Sequence, residues 1–186
     1  TGSVSERGFN YSTMIYSINF IRMSWTKGCI TQGIFLDVSA AFDNAGTKVF
    51  WQAKTSKSRK FFYNLLESYL SSRFQCTVVS GIKSTFKEIK AGIPQGSKLG
   101  PILWLLYVND ITKNIESEIL LFTDDTCCFA TGKDPAETAV ILNRDLERLN
   151  VWATKWKVIF NPGKSKDLIF SKRKVLFNSP PLVLNG

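Results

Sequence analysis

The chain of 186 residues has no histidine. That absence removes Ser-His-Asp and Cys-His nucleophilic catalysis, where an imidazole is the general base, and denies a zinc site its usual nitrogen ligand. Cysteine is sparse too: Cys29, Cys76, Cys127 and Cys128 show no C-x-x-C spacing. Neither a zinc cluster nor a disulfide framework is expected, and a reducing compartment is the default. Long apolar runs are missing. The longest, Ile102–Val108, is far too short to span a bilayer, and no secretory signal, internal repeat or low-complexity tract is visible. Acids are scarce: 15 Asp and Glu stand against 24 Lys and Arg, for a net charge of +9.

What is present suffices for a core. Hydrophobic residues make up 44% of the chain, enough for one domain or part of a larger one. The positive charge is clustered, at Lys54, Lys57, Arg59 and Lys60, then at Lys155, Lys157, Lys164, Lys166, Lys172, Arg173 and Lys174. Such clusters suit a polyanion; a solvated face that keeps the chain soluble is the other reading.

Periodicity predicts an α+β fold. Met14, Ile15, Ile18 and Ile21 recur at near-helical spacing over Tyr11–Trp25, and a buried strand is expected from Gly33 to Val38. A helix over Lys60–Leu70 precedes a hairpin from Arg73–Ser80 to Thr85–Lys90 around Ser80-Gly81. A helix over Leu99–Lys113 follows, with Ser97 placed to cap it. A second hairpin across Ile119–Ala130 leads to a helix from Pro135 to Trp156 with Ile141, Leu142, Leu146, Leu149 and Trp152 on one face. Short strands at Val158–Phe160 and Lys166–Phe170 bracket the Asn161–Lys164 turn. Strand, helix, strand, helix, strand is the order of a split βαβ, ferredoxin-like sheet.

Three acids sit where acids are costly. Asp124-Asp125 is flanked on both sides by apolar strand formers, and Asp37 lies near the end of a buried strand. Buried carboxylates demand a compensating cation, so the acid pair is either a metal-binding hairpin tip or a solvated Asp-Asp turn. Two strands delivering acids to one spot would suit two Mg²⁺ ions. Between them, Gly92, Gly96 and Gly100 in Ala91–Pro101 would let a backbone approach a ligand closely.

Taken in order, FLDVSAAFD (35–43), AGIPQGSKLGPILWLLYVNDI (91–111), LLFTDDTCCFA (120–130) and FNPGKSKDLIF (160–170) resemble the four palm motifs of reverse transcriptases of non-LTR retrotransposons, of the jockey-like and LINE-like group. The resemblance runs from about Glu6 to the end of the chain. It implies a polymerase palm with a split βαβ sheet and part of the fingers: about 1–30 fingers, about 31–175 palm, and about 176–186 the start of the primer-gripping region. It also implies RNA-directed DNA polymerisation by two-metal nucleotidyl transfer with Mg²⁺, or Mn²⁺ in its place.

Asp37, Val38, Asp124 and Asp125 match the metal positions, with the three acids catalytic. Lys164 matches the lysine near the departing pyrophosphate, although a solvated turn lysine is the plainer reading. Phe42 matches the aromatic that rejects a ribose 2′-hydroxyl, or is a core residue; Gln95 and Gly96 match contacts to the nascent base pair and template. Thr123 departs from the usual Ala, Met or Val. Asp43 fits the second acid of RNA-dependent RNA polymerases, which keeps that class as an alternative beside a catalytically inactive palm remnant that binds nucleic acid. The implied partners are an RNA template, a DNA primer and dNTP, without a membrane. Both ends look cut, so further fingers and a thumb are expected in the parent protein, while whether an endonuclease is attached is not legible in this sequence. The fragment alone is expected to be inactive, and the parent element to work in the nucleus and cytoplasm.

Overall fold

The computed structural model describes residues 11–39, 60–89, 92–94, 96–122, 125–173 and 180–184. They fall into two compact units, one of Thr1–Ser39, Thr112–Ala153 and Phe160–Gly186, the other of Ala40–Ile111 and Thr154–Ile159.

The first unit is built on a sheet centred on β1 (Ile30–Ser39). On one side β1 pairs antiparallel with β7 (Asp125–Gly132), which pairs in turn with β6 (Glu118–Phe122). On the other side it pairs antiparallel with β9 (Lys166–Phe170), and β8 (Ile159–Phe160) completes the five strands. The order β9-β1-β7-β6 puts β7 between the parallel strands β1 and β6. This is the split βαβ arrangement that the element order predicts.

The pleat of β1 sorts its residues onto two faces. On one face, Thr31 meets α1 (Tyr11–Thr26) through a 2.6 Å hydrogen bond between Ser24 Oγ and Thr31 Oγ1, and the Phe20 ring lies 6.3 Å from that of Phe129. The other face meets α4 (Pro135–Trp156), where the Thr138 hydroxyl donates to Gln32 Oε1 at 2.7 Å. Ile30, Ile34 and Leu36 of β1 are buried, as are Leu142, Leu146 and Leu149 of α4. Asp134 starts α4 by accepting the Glu137 N–H at 2.9 Å, while Glu137 accepts the Lys133 N–H at 2.7 Å, a reciprocal cap. Cys127 and Cys128 are buried in β7, and desolvation pushes both thiols well above the usual range, so they fill the sheet as expected.

Gly33 is required by its neighbour. It stands directly opposite Phe129, and a Cβ there would lie 2.7 Å from a ring carbon. The ring cannot swing clear easily, since Phe129 is 2% exposed and edge-on to Phe35 at 5.7 Å. We expect Gly33→Ala to cost about 1–3 kcal/mol by overpacking. Thermal denaturation checks this, and Phe129→Leu on the Gly33→Ala background should recover part of the loss.

The second unit holds α2 (Lys60–Leu70), β2 (Arg73–Gln75), β3 (Val78–Val79), β4 (Ile82–Lys83), β5 (Lys87–Ile89) and α3 (Gly100–Val108). Antiparallel β3·β4 and β2·β5 pairs form the expected hairpin, with Ser80 and Gly81 at φ 49° and 79° in the turn. Their positive φ values are what a tight hairpin turn needs.

Three expectations are corrected. The helix read over Leu99–Lys113 ends at Val108, because tight turns take over: Ile111 N–H bonds Val108 O, and Asn114 adopts φ 63°. In α1 the buried positions are Ile21 and Ser24, whereas Met14, Ile15 and Ile18 are 41–47% exposed. Ser97 does not occupy the cap position of α3, which is Leu99; its hydroxyl instead accepts the Gly100 N–H at 3.0 Å and donates to Pro94 O at 2.8 Å.

Candidate active site

Asp37 and Asp125 are brought together by strand register. They are direct partners across the β1·β7 ladder, and Asp125 is the first residue of β7, immediately after the hairpin tip. The Asp37 N–H and C=O both point away from β7, toward Ser165 and Asn161. The Asp37–Asp125 pair is therefore of the narrow, non-hydrogen-bonded kind, with Cα atoms about 4.5 Å apart and side chains on one face. Alternation along β1 sends the backbone carbonyl of Val38 to the β7 side. Asp37 is half-buried, its side chain 37% exposed.

The Asn161–Ser165 turn closes the site from the other edge. Asn161 N–H donates to Asp37 O at 2.9 Å, and Asp37 N–H donates to Ser165 Oγ at 3.3 Å. Within the turn, Gly163 N–H bonds Asn161 Oδ1 at 3.0 Å, while Lys164 N–H and Ser165 N–H bond Asn161 O at 3.2 and 3.0 Å. Lys164 Nζ comes within 3.9 Å of Asp37 Oδ2. With Lys164 69% exposed, that ion pair adds little stability; its value lies in where the ammonium stands.

Of the other expected site residues, Phe42, Gln95 and Asp124 lie outside the described residues. So do Asp43 and Thr123. Gly96 lies in the second unit at φ 77°, as Gly92 does at φ 91°, conformations in which glycine is favoured. Among the described residues no group of three or more Asp, Glu, Cys or His side chains is placed to hold a metal ion, and two of the three expected acids belong to that set. The donors fit a hard cation nonetheless: facing carboxylates and an exposed flank offer the oxygen ligands that Mg²⁺ and Mn²⁺ take.

Two supports of the site escaped the sequence reading. Asp145, fully buried, accepts the Glu116 N–H at 3.0 Å, the Ser117 N–H at 2.7 Å and an Arg148 guanidinium N–H at 2.9 Å. It ties α4 to the start of the β6-β7 hairpin. Burial opposes its ionisation, but the hydrogen bonds from Ser117, Glu116 and Arg148 outweigh this and hold its pKa below the usual value. The available signal was an acid in register between Leu142 and Leu149. Gln32, also fully buried, donates to both carboxylate oxygens of Asp167 at 3.0 Å and so locks β9 to β1. Nothing in the local pattern distinguishes it.

A family model described as reverse transcriptase (RNA-dependent DNA polymerase) matches residues 8–177. The chain belongs to that family. It is 32% identical over 181 residues to the RNA-directed DNA polymerase from mobile element jockey of Drosophila melanogaster, a match covering 91% of this chain and 19% of that protein. It is 30% identical over 156 residues to the probable RNA-directed DNA polymerase from transposon X-element of the same fly, covering 81% of this chain and 17% of that protein. The reverse transcriptase domain thus spans about a fifth of the length of such relatives. In fold it is similar to apo telomerase from Candida tropicalis truncated from its C-terminal domain, with a TM-score of 0.64 at 16% identity over 87% of this chain and 36% of that one. Among the described residues no helix is long and apolar enough to cross a membrane.

Proposed function

We propose that this chain is the palm, with the end of the fingers, of an RNA-directed DNA polymerase that copies a non-LTR retrotransposon. Residues about 1–30 would form part of the fingers, about 31–175 the palm and about 176–186 the start of the primer-gripping region. The observation that carries the reading is the register-fixed facing of Asp37 and Asp125 beside Lys164. Asp124, next to Asp125 in sequence, would complete the acid set, and the Val38 carbonyl would add a neutral ligand.

Bound there, two Mg²⁺ ions would supply Lewis-acid activation of a primer 3′-hydroxyl and charge neutralisation on the triphosphate. The chain's own residues do the rest. Asp37 and Asp125 hold their carboxylates on one face, and Lys164 stands where it can donate a proton to the leaving pyrophosphate. Gln95 and Gly96 contact the nascent pair between RNA template and DNA primer, and Phe42 blocks the 2′ position of an incoming nucleotide. The runs from Lys54 to Lys60 and from Lys164 to Lys174, of which Lys54, Lys57, Arg59 and Lys174 lie outside the described residues, add positive charge that suits a phosphate backbone.

The test is to replace the matching segment of the jockey polymerase with this chain and follow extension of a DNA primer on an RNA template. Extension with dNTP that requires Mg²⁺ or Mn²⁺ is expected. Binding of primer–template without extension would instead indicate an inactive remnant. In the same protein Phe42→Ala should raise ribonucleotide incorporation by up to about 10²-fold with deoxynucleotide use little changed, since a steric gate discriminates against an added hydroxyl on that scale. A preference of the unsubstituted protein for ribonucleotides, read from kcat/KM, would overturn the DNA polymerase reading in favour of Asp43 recognising the 2′-hydroxyl.

A further inference from the structure

The β1·β9 ladder stops at the pair Phe35↔Lys166, two residues short of Asp37. At Asp37 a side chain supplies the acceptor. The Ser165 hydroxyl accepts the Asp37 N–H at 3.3 Å and donates its own hydrogen to Asn161 O at 2.8 Å. The Asp37 C=O is held by the Asn161 N–H at 2.9 Å. Both polar groups of the Asp37 peptide thus end on a single five-residue turn, which is itself fixed by the Asn161 side-chain and main-chain oxygens.

We infer that Ser165 is a positioning residue: it fixes the backbone of Asp37, and through the turn holds the Lys164 ammonium and the Asp37 carboxylate in one frame. This rests on the metal-binding reading of Asp37 and Asp125 given above. Removing the hydroxyl leaves the Asp37 N–H without the acceptor that the turn supplies. The Asp37 carboxylate then keeps its chemistry but loses its direction. A polymerase tolerates such slack poorly, because displacements near 1 Å at reacting groups cost up to ~10²-fold in rate.

Ser165→Ala and Ser165→Thr in this chain separate the possibilities, with amide hydrogen exchange at residue 37 and Mn²⁺ affinity, read by water-proton relaxation, as the observables. In Ser165→Ala the Asp37 amide should exchange about tenfold faster, the scale of one lost hydrogen bond, and Mn²⁺ should bind several-fold more weakly while the melting temperature moves little. Ser165→Thr, which keeps the hydroxyl, should restore both. Should Ser165→Ala not fold, Ser165→Cys carries the same comparison, since a thiol is a weak acceptor of similar size. Unchanged exchange, or faster exchange with unchanged Mn²⁺ affinity, would overturn the positioning role. If the unsubstituted chain binds no Mn²⁺, the metal-binding reading falls and the positioning role with it, while faster exchange in Ser165→Ala would still establish the bare Ser165–Asp37 hydrogen bond.

Discussion

Replacing Asp145 by alanine should cost about 1–3 kcal/mol, the scale for leaving hydrogen-bond donors without their acceptor. The carboxylate is fully buried and accepts two backbone N–H groups, at Glu116 and Ser117, as well as an Arg148 N–H. Alanine would remove the acceptor of both amides and leave Arg148 paired with Glu116, at 2.9 Å. Asn is no remedy, because its NH₂ group would confront those same donors. Chemical denaturation of Asp145→Ala against the unsubstituted chain measures the loss directly.

The same residue gives the fold an acid limit. Its folded-state pKa is lowered, so its contribution is fully present above the unfolded carboxylate value of about 3.9. That contribution drains away as pH falls from there through the lower folded value. Denaturation profiles of the unsubstituted chain should therefore dip in that acid window. Asp145→Ala should show a shallower dip, and an equal dip in both proteins would refute the assignment.

Legibility from sequence followed the range of the interactions. Helix α4 and hairpin β6-β7 were readable because their signals are local: Asp134 with Glu137 caps one, and apolar strand formers flank an acid pair in the other. The convergence of Asp37 on Asp125 was readable only through motif order, since a register linking residues this far apart leaves no trace in either segment. Asp145 and Gln32 were missed for the same reason. Each is a polar residue inside an apolar pattern, and its justification is a partner distant in sequence: Glu116 and Ser117 for one, Asp167 and Thr138 for the other. The over-long helix from Leu99 failed differently. Its apolar run ends at Val108, and beyond it Asn109, Asp110, Thr112 and Asn114 offer side chains that compete with helical hydrogen bonding. The exposed Met14, Ile15 and Ile18 show that periodicity identifies a helix more reliably than it identifies the face that is buried.

Stability and activity should part company at the paired acids. Two carboxylates directly opposite each other in a narrow antiparallel pair repel, and Lys164, 3.9 Å from Asp37 and well solvated, offsets only part of this. Without metal, Asp125→Asn should therefore change the stability of the fold by no more than ~1 kcal/mol. In a polymerase carrying this chain it should lower the rate of nucleotide addition about 10³-fold or more, the upper range for removing one preorganised electrostatic group. Asp37→Asn should behave alike in rate. Thermal melts at low divalent concentration and single-turnover primer extension give the two halves of the comparison. A structural acid would show the opposite pattern, with stability lost and the rate per folded molecule unchanged, and that result for either residue would remove it from the catalytic set.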